Sequence, residues 1–144
     1  MTKLFKPEQE KKIITSISEI ESKTTGELRV YIEDKCPEDV HNRAMKIFEQ
    51  YGVYKTKERN GVLIYVAIRS RQLYIWGDSG IHEKAGQSLW DSILKNMSND
   101  FADGMYESGL LKAIKAIGVI MNQYFPANGK DTDNELPDEI IYGF

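Results

Sequence analysis

The residues best suited to chemistry in this chain are acidic side chains that flank predicted strands and helices. Asp78 lies in the turn Gly77-Asp78-Ser79-Gly80, Glu27 opens a predicted strand, and Asp100 and Asp103 lie in a polar loop. Carboxylate oxygens surrounded by amide and backbone oxygens are typical ligands of calcium and magnesium. Carboxylates held close together repel one another, and a divalent cation relieves that repulsion. The sequence therefore predicts a calcium or magnesium site with Asp78, Asp103, Glu27 and Asp100 as ligands.

Hydrophobic periodicity predicts the elements that position these residues. Apolar residues at helical spacing predict helices over 7–23, 37–52, 81–97 and 106–124, with a polar loop over 99–104. Strands are predicted over 27–33, 62–68 and 72–76. The first strand alternates apolar with polar residues, which predicts one buried face, whereas the second is almost wholly apolar and should be covered on both faces. The order is α-β-α-β-β-α-α, and it predicts an α/β fold in which helices cover both faces of a small mixed sheet.

The predicted topology brings three polar residues to one edge of the sheet. A helix connects the first two strands, so they should run parallel with a right-handed crossover. The connection Arg69-Ser70 is so short that the third strand must run antiparallel to the second. Glu27, Asn60 and Asp78 should therefore meet, with the loop carrying Asp100 and Asp103 as a further contributor. The alternative for Asp78 is a purely structural role, because Asp-Ser-Gly before a helix is typical of an N-cap.

Other candidate motifs fail on spacing. Gly77-Asp78-Ser79-Gly80 resembles a serine nucleophile motif, but His82 lies only three residues from Ser79, and a catalytic triad recruits its histidine through the fold. Two separated histidines and a single cysteine are too few for a zinc site. Residues 131–135 resemble the start of a calcium-binding EF loop, but Leu136 and Tyr142 occupy the positions that need glycine and an acid.

Composition limits the class of protein. The chain has 144 residues, the size of one domain, and a net charge of −3 without a basic block, so we expect no nucleic-acid partner. No stretch approaches the ~20 apolar residues of a membrane span. Cys36 is the only cysteine, which favours a reducing compartment. The first residues do not form an apolar signal peptide. We therefore expect a cytoplasmic protein without a membrane span, and a monomer.

Three segments together resemble the TPM domain family. They are residues 60–67 with the Asn-Gly-Val-Leu strand, 77–81 (Gly-Asp-Ser-Gly-Ile), which resemble the family's Gly-x-Gly-Leu/Ile turn, and 101–110 with the Phe-x-x-Gly-x-Tyr-x-x-Gly-Leu segment. Residues 25–30 resemble the first strand of that family, and the similarity extends over about 7–126. The resemblance implies a Rossmann-like three-layer α/β/α sandwich with calcium-binding acidic loops at one end of the sheet. Asp78 and Asp103 lie in matching motifs, while Glu27 rests on the looser match.

The resemblance also implies an acid phosphatase activity, which is attributed to plant members linked to photosystem II repair. Family members often carry a signal peptide and a membrane anchor, neither of which this sequence shows.

These observations leave three functional hypotheses open. The first is a divalent-cation-binding module that acts in interaction or regulation with an unidentified protein partner. The second is a metal-assisted phosphomonoesterase, in which Asp78 acts as nucleophile or metal ligand and Arg59 reaches the phosphate. The third is a scaffold, in which residues 1–126 form the domain and the acidic tail 127–144 recruits a partner. In that tail we predict disorder over 128–133 and an apolar end that docks on the domain.

Overall fold

The computed structural model describes residues 4–127 and 139–143. Its elements, in chain order, are α1 (Pro7–Glu21), β1 (Glu27–Glu33), α2 (Val40–Gln50), β2 (Gly61–Ala67), β3 (Gln72–Gly77), α3 (Ser79–Ala85), α4 (Gln87–Ala102), α5 (Tyr106–Tyr124) and β4 (Ile140–Tyr142). The strands form one sheet in the order β3-β2-β1-β4. β1 runs parallel to β2 and to β4, and β2 and β3 form an antiparallel hairpin. The predicted α/β class with a small mixed sheet is confirmed.

Helices cover both faces of this sheet. α2 packs Ala44, Ile47 and Phe48 against one face, where Leu63 and Tyr65 of β2 point. α1, α4 and α5 cover the other face through a larger apolar core. Every residue of β2 is buried, as its continuous apolar sequence predicted. Within the described ranges, no helix is long and apolar enough to cross a membrane.

The prediction that only one face of β1 is buried is wrong. Arg29 and Glu33, which should have faced solvent, are only 3% and 5% exposed. Each is tolerated in the interior because it is paired, Arg29 with Glu21 of α1 and Glu33 with Arg43 of α2. In β1, the alternation of polar and apolar residues therefore corresponds to two buried faces of different chemistry. The face with Arg29, Tyr31 and Glu33 is the one that α2 covers.

The single helix predicted over 81–97 is two helices. Gly86 separates them with φ of +80°, a left-handed conformation that glycine adopts without steric cost. α4 then continues to Ala102, because Phe101 extends the apolar spacing of Met97 by one more turn, so most of the predicted loop is helical. The second predicted helix begins three residues late, at Val40, because the side chain of Asp39 accepts a hydrogen bond from the Asn42 amide at 3.1 Å and caps it.

The chain also adds a fourth strand from its C-terminal segment. β4 pairs in parallel with Val30 to Ile32 of β1, and the Gly143 amide donates to the Ile32 carbonyl at 2.9 Å. A Cβ at Gly143 would lie 1.8 Å from the Tyr31 hydroxyl, so a larger residue there would force the Tyr31 ring to move. The segment predicted to be disordered, 128–133, and the EF-like residues 131–136 lie outside the described residues.

Candidate functional site

The register of the sheet brings Glu27, Asn60 and Asp78 to the same end of the strands. We call this end, where β1 and β2 begin and β3 finishes, the amino edge. Glu27 pairs with Gly61, and Gly77 pairs with Val62. The Asp78 amide donates to the Gly61 carbonyl at 2.9 Å. β2 lies between β1 and β3, so the backbones of Glu27 and Asp78 are two strand spacings apart, about 10 Å. Shared coordination of one calcium needs carboxylate oxygens within about 5 Å of each other.

Both oxygens of Asp78 already have partners. Oδ1 accepts hydrogen bonds from the Ser79 amide at 2.7 Å and from Nη2 of Arg59 at 2.9 Å, and Oδ2 accepts one from Nε of Arg59 at 2.7 Å. Asp78 is 4% exposed and is the N-cap residue of α3. The hydrogen bonds from Arg59 raise the pKa of that guanidinium, so the cation stays charged. A metal ion at Asp78 would have to displace Arg59, which makes the helix-cap interpretation the better fit.

Close backbone contact explains the second glycine of the turn. A Cβ at Gly80 would lie 2.1 Å from the carbonyl oxygen of Glu58. The Gly80 and Ile81 amides donate to the Arg59 carbonyl at 2.9 and 3.2 Å. These first amides of α3 are therefore used to dock the segment before β2. Glu58, Arg59, Asp78 and Gly80 together hold the start of α3 against the segment that precedes β2.

Glu27 and Asn60 are likewise held by neighbouring side chains. Glu27 accepts a hydrogen bond from Nη2 of Arg29 at 3.1 Å. Asn60 is fully buried and donates through Nδ2 to the Thr25 hydroxyl at 3.0 Å, while Thr25 bonds to Glu58. Oδ1 of Asn60 is buried without a hydrogen-bond partner among the residues that the structure describes. The amino edge thus holds a polar network in which the carboxylates of Glu27 and Asp78 are paired and the Asn60 Oδ1 atom is not.

Asp100 and Asp103 lie at the opposite, carboxyl edge of the sheet. α4 ends at Ala102, which lines a cavity together with Ala67 at the end of β2 and Leu73 at the start of β3. β2 has seven residues, so about 20 Å separates the two edges. The structure therefore divides the four predicted ligands into two pairs, with Glu27 and Asp78 at one edge and Asp100 and Asp103 at the other.

The α4–α5 turn, residues 99–105, has an unusual charge arrangement. Asp100 lies in the last turn of α4 and Asp103 is its C-cap residue, and that turn contains no basic residue. The C-terminal end of a helix carries a partial negative charge and favours cations. Asp100 contacts Nζ of Lys112 on α5 at 3.3 Å, but that lysine side chain is 65% exposed. Asp103 is exposed.

No complete metal cage is present in the described part of the chain. Residues 4–127 and 139–143 contain no group of three or more His, Cys, Asp or Glu side chains placed to hold a metal ion. A cation at the α4–α5 turn would therefore take two carboxylates and complete its shell with carbonyl oxygens and water. Such a donor set fits calcium better than magnesium, because calcium accepts flexible coordination by six to eight oxygens.

The cavity beside this turn was missed in the sequence. It has a volume of about 300 Å³ and is mostly apolar, with Arg71 and Ser98 as polar members; its other lining residues are Leu4, Val66, Ala67, Ile68, Leu73, Phe101, Ala102 and Tyr106. The rings of Phe101 and Tyr106 meet edge to face at 5.2 Å. The rule that open α/β sheets bind ligands at the carboxyl ends of their strands could have directed attention to this edge.

A buried network also lies at the carboxyl end of β1. Nε and Nη2 of Arg43 each donate to Glu33 at 2.8 Å, and the Tyr65 hydroxyl donates to the same carboxylate. The bond to Glu33 raises the pKa of Arg43, and burial raises the pKa of Tyr65. All these groups are mutually satisfied, so the network serves to hold α2 on the sheet.

Comparison with known proteins identifies the family. A family model described as TPM domain matches residues 1–120. The NMR structure of the BA42 protein from the psychrophilic bacterium Bizionia argentinensis is 36% identical, with a TM-score of 0.89 over 99% of this chain and 98% of that chain. The solution NMR structure of an N-terminal domain of a P. gingivalis protein is 19% identical, with a TM-score of 0.69 over 85% of this chain and 79% of that chain, which shows the fold alone. No curated protein matches significantly. This chain belongs to the TPM domain family.

Proposed function

We propose that this TPM domain is a divalent-cation-binding interaction module, and that calcium binds at the α4–α5 turn. The observation that carries the proposal is the pair Asp100 and Asp103 at the negative end of α4, in a turn without a basic residue. Two negative side chains at the C-terminal end of a helix repel each other and the partial negative charge of that end, which destabilises it. A bound cation would reverse this effect. The amino edge is the weaker candidate because Arg59 already neutralises Asp78.

The position of the turn suggests how cation binding would act on a partner. Phe101 lies between the two aspartates in sequence, Tyr106 follows three residues after the second, and both line the 300 Å³ cavity. A cation that orders the turn would also order these rings. The binding-competent cavity would then be presented to an apolar side chain of a protein partner, in a cytoplasmic setting that the single free cysteine, Cys36, favours.

Calcium titration followed by calorimetry and amide NMR tests this proposal. With two carboxylates we expect a weak site, with a dissociation constant of about 10⁻⁴ to 10⁻³ M, and shifts centred on residues 99–106. Asp103→Asn should weaken binding strongly. Asp91→Asn is the matched control, because it removes the same charge from the exposed face of the same helix three turns earlier.

Lys112 offers a test with the opposite sign. Replacing it by methionine removes a positive charge near Asp100, at a site exposed to water, where one unit charge about 6 Å from a divalent ion costs roughly 1 kcal/mol. Lys112→Met should therefore tighten calcium binding by a few fold. If neither heat nor spectral shifts appear at about 10 mM calcium, or if Asp103→Asn binds like the wild type, the proposed site is refuted.

A metal-assisted phosphomonoesterase is the second candidate. It is favoured by one observation, that the exposed guanidinium of Arg59 reaches the carboxylate of Asp78. Against it, both oxygens of that carboxylate accept hydrogen bonds, and a nucleophile needs a free one. Activity on a chromogenic phosphate ester that disappears in Asp78→Asn, while the variant remains folded, would support this candidate. Activity that survives would dismiss it.

A further inference from the structure

β3 is an unprotected edge strand. It is the first strand in the order β3-β2-β1-β4, so within residues 4–127 and 139–143 one side of its backbone has no neighbouring strand. Its sequence, Gln-Leu-Tyr-Ile-Trp-Gly, contains neither charged residues nor proline. Natural proteins usually protect such edges with charges, proline, bulges or a covering segment, because an exposed edge otherwise pairs with another chain.

The direction of the free backbone groups follows from the hairpin register. The Asp78 amide donates to Gly61 of β2, so the amides of Trp76, Tyr74 and Gln72 also point toward β2. The backbone groups of Leu73, Ile75 and Gly77 consequently point outward. Among the described residues, no backbone hydrogen bond outside the β2–β3 ladder involves these three residues. The edge therefore presents an alternating row of donors and acceptors over its whole length.

This row is complementary to itself. When two copies of β3 run antiparallel about a two-fold axis at Ile75, Ile75 pairs with Ile75 and Leu73 pairs with Gly77 of the second copy. All outward groups are then used, with two hydrogen bonds for each pair. The same register places Tyr74 opposite Trp76, in the closely spaced position where aromatic pairs stabilise sheets. No charged side chain lies within the strand to oppose a like charge across the axis.

The side chains on both faces suit this arrangement. Tyr74 and Trp76 lie on the α2 face, where His41 packs between them with ring centroids at 5.5 and 5.0 Å. Leu73 and Ile75 lie on the α4 face and pack against the main core. The strand is thus packed by both layers, while no part of the chain that the structure describes pairs with its outer side. β4, at the other end of the sheet, has only three residues and offers less pairing length.

We propose that β3 is a self-association surface, through which two copies of this domain join their sheets in antiparallel register centred on Ile75. The contact is small, so the association should be weak and should depend on concentration.

Hydrogen–deuterium exchange followed by amide NMR is the sharpest test. The amides of Gln72, Tyr74 and Trp76 bond to β2 and should be protected at every concentration. Those of Leu73, Ile75 and Gly77 should exchange several-fold more slowly at about 1 mM protein than at about 20 μM. Equal exchange at both concentrations, or new protection that maps to another surface, would overturn the proposal. Protection that appears only when a synthetic peptide of residues 139–144 is added would assign the edge to a different strand and would also overturn it.

Two double variants test the register by sedimentation velocity. Tyr74→Glu with Trp76→Glu places Glu opposite Glu twice across the axis, and this variant should stay monomeric at every concentration. Tyr74→Lys with Trp76→Glu places Lys opposite Glu, and it should associate at least as well as the wild type. Thermal melts confirm that each variant folds, and the exchange experiment on the wild type decides the question if one does not. Equal association of the two variants would exclude this register.

Discussion

The role of Asp78 can be decided by one substitution measured in two conditions. Asp78→Ala removes the side chain that caps α3 at Ser79 and that pairs with Arg59. Loss of an aspartate N-cap costs about 1 kcal/mol. The Arg59 side chain is 55% exposed and returns to water, so it adds little. For a domain of this size, about 1 kcal/mol lowers the melting temperature by roughly 3 °C.

Calcium separates the cap from a metal ligand. If Asp78 only caps the helix, the difference between variant and wild type should be the same with a chelator and with calcium. If Asp78 bound calcium with a dissociation constant of about 1 mM, about 10 mM calcium would stabilise the wild type alone by RT ln 11, about 1.4 kcal/mol. The gap would then more than double.

Thermal and urea unfolding in both conditions provide the measurement. Asp91→Ala serves as control, because Asp91 is exposed and its carboxylate accepts a hydrogen bond from the nearby Gln87 side chain, and it should change stability by less than about 0.5 kcal/mol. A melting temperature of Asp78→Ala equal to that of the wild type would refute the cap. A difference that grows with calcium would restore Asp78 as a ligand.

Three further predictions concern the packing around the two edges. Gly80→Ala should destabilise the domain by about 1–3 kcal/mol in urea unfolding, because the new Cβ would meet the Glu58 carbonyl at 2.1 Å, whereas Ser79→Ala beside it should be nearly neutral. Arg43→Met should cost about 2 kcal/mol in the same assay, since it removes two charge-assisted hydrogen bonds from the buried Glu33, and a cost below about 0.5 kcal/mol would contradict that pairing. Burial raises the pKa of Tyr31, Tyr65 and Tyr74 in the folded state, so the unfolded chain loses its phenol protons at lower pH than the folded one. The contribution of these three phenols to the free energy of unfolding should therefore be fully present below about pH 10 and should fall above it. Tyr65→Phe should make that fall shallower.

Most elements could be predicted from local pattern, and the errors have identifiable causes. β1 and α5 match the predicted bounds because strong apolar periodicity coincides with clear stop signals at both ends. The break at Gly86 was missed because the sequence pattern does not indicate whether a glycine within helical spacing has a helical or a positive φ. The end of α4 was missed because the Asn and Asp residues after Met97 resemble a loop, although Phe101 still packs inward. β4 requires a partner strand distant in sequence, which local pattern cannot reveal.

The candidate site divides in the same way. The connection lengths alone predicted that Glu27, Asn60 and Asp78 would share an edge, because a crossover helix makes two strands parallel and a two-residue turn makes the next antiparallel. The partners of those residues came only from the tertiary structure. Arg59 reaches Asp78 only because Gly80 lets the backbones touch, and Asp100 and Asp103 lie at the far edge only because α4 runs the full length of the sheet.

The sequence by itself determined the fold class, the topology of the hairpin and the family, because these depend on periodicity, turn length and the order of motifs. The tertiary structure decided which charges are paired, which edge carries a cavity and which strand is left open. The physical reason is that pairing and exposure depend on distances between segments remote in the chain. No local preference encodes those distances until the core has packed.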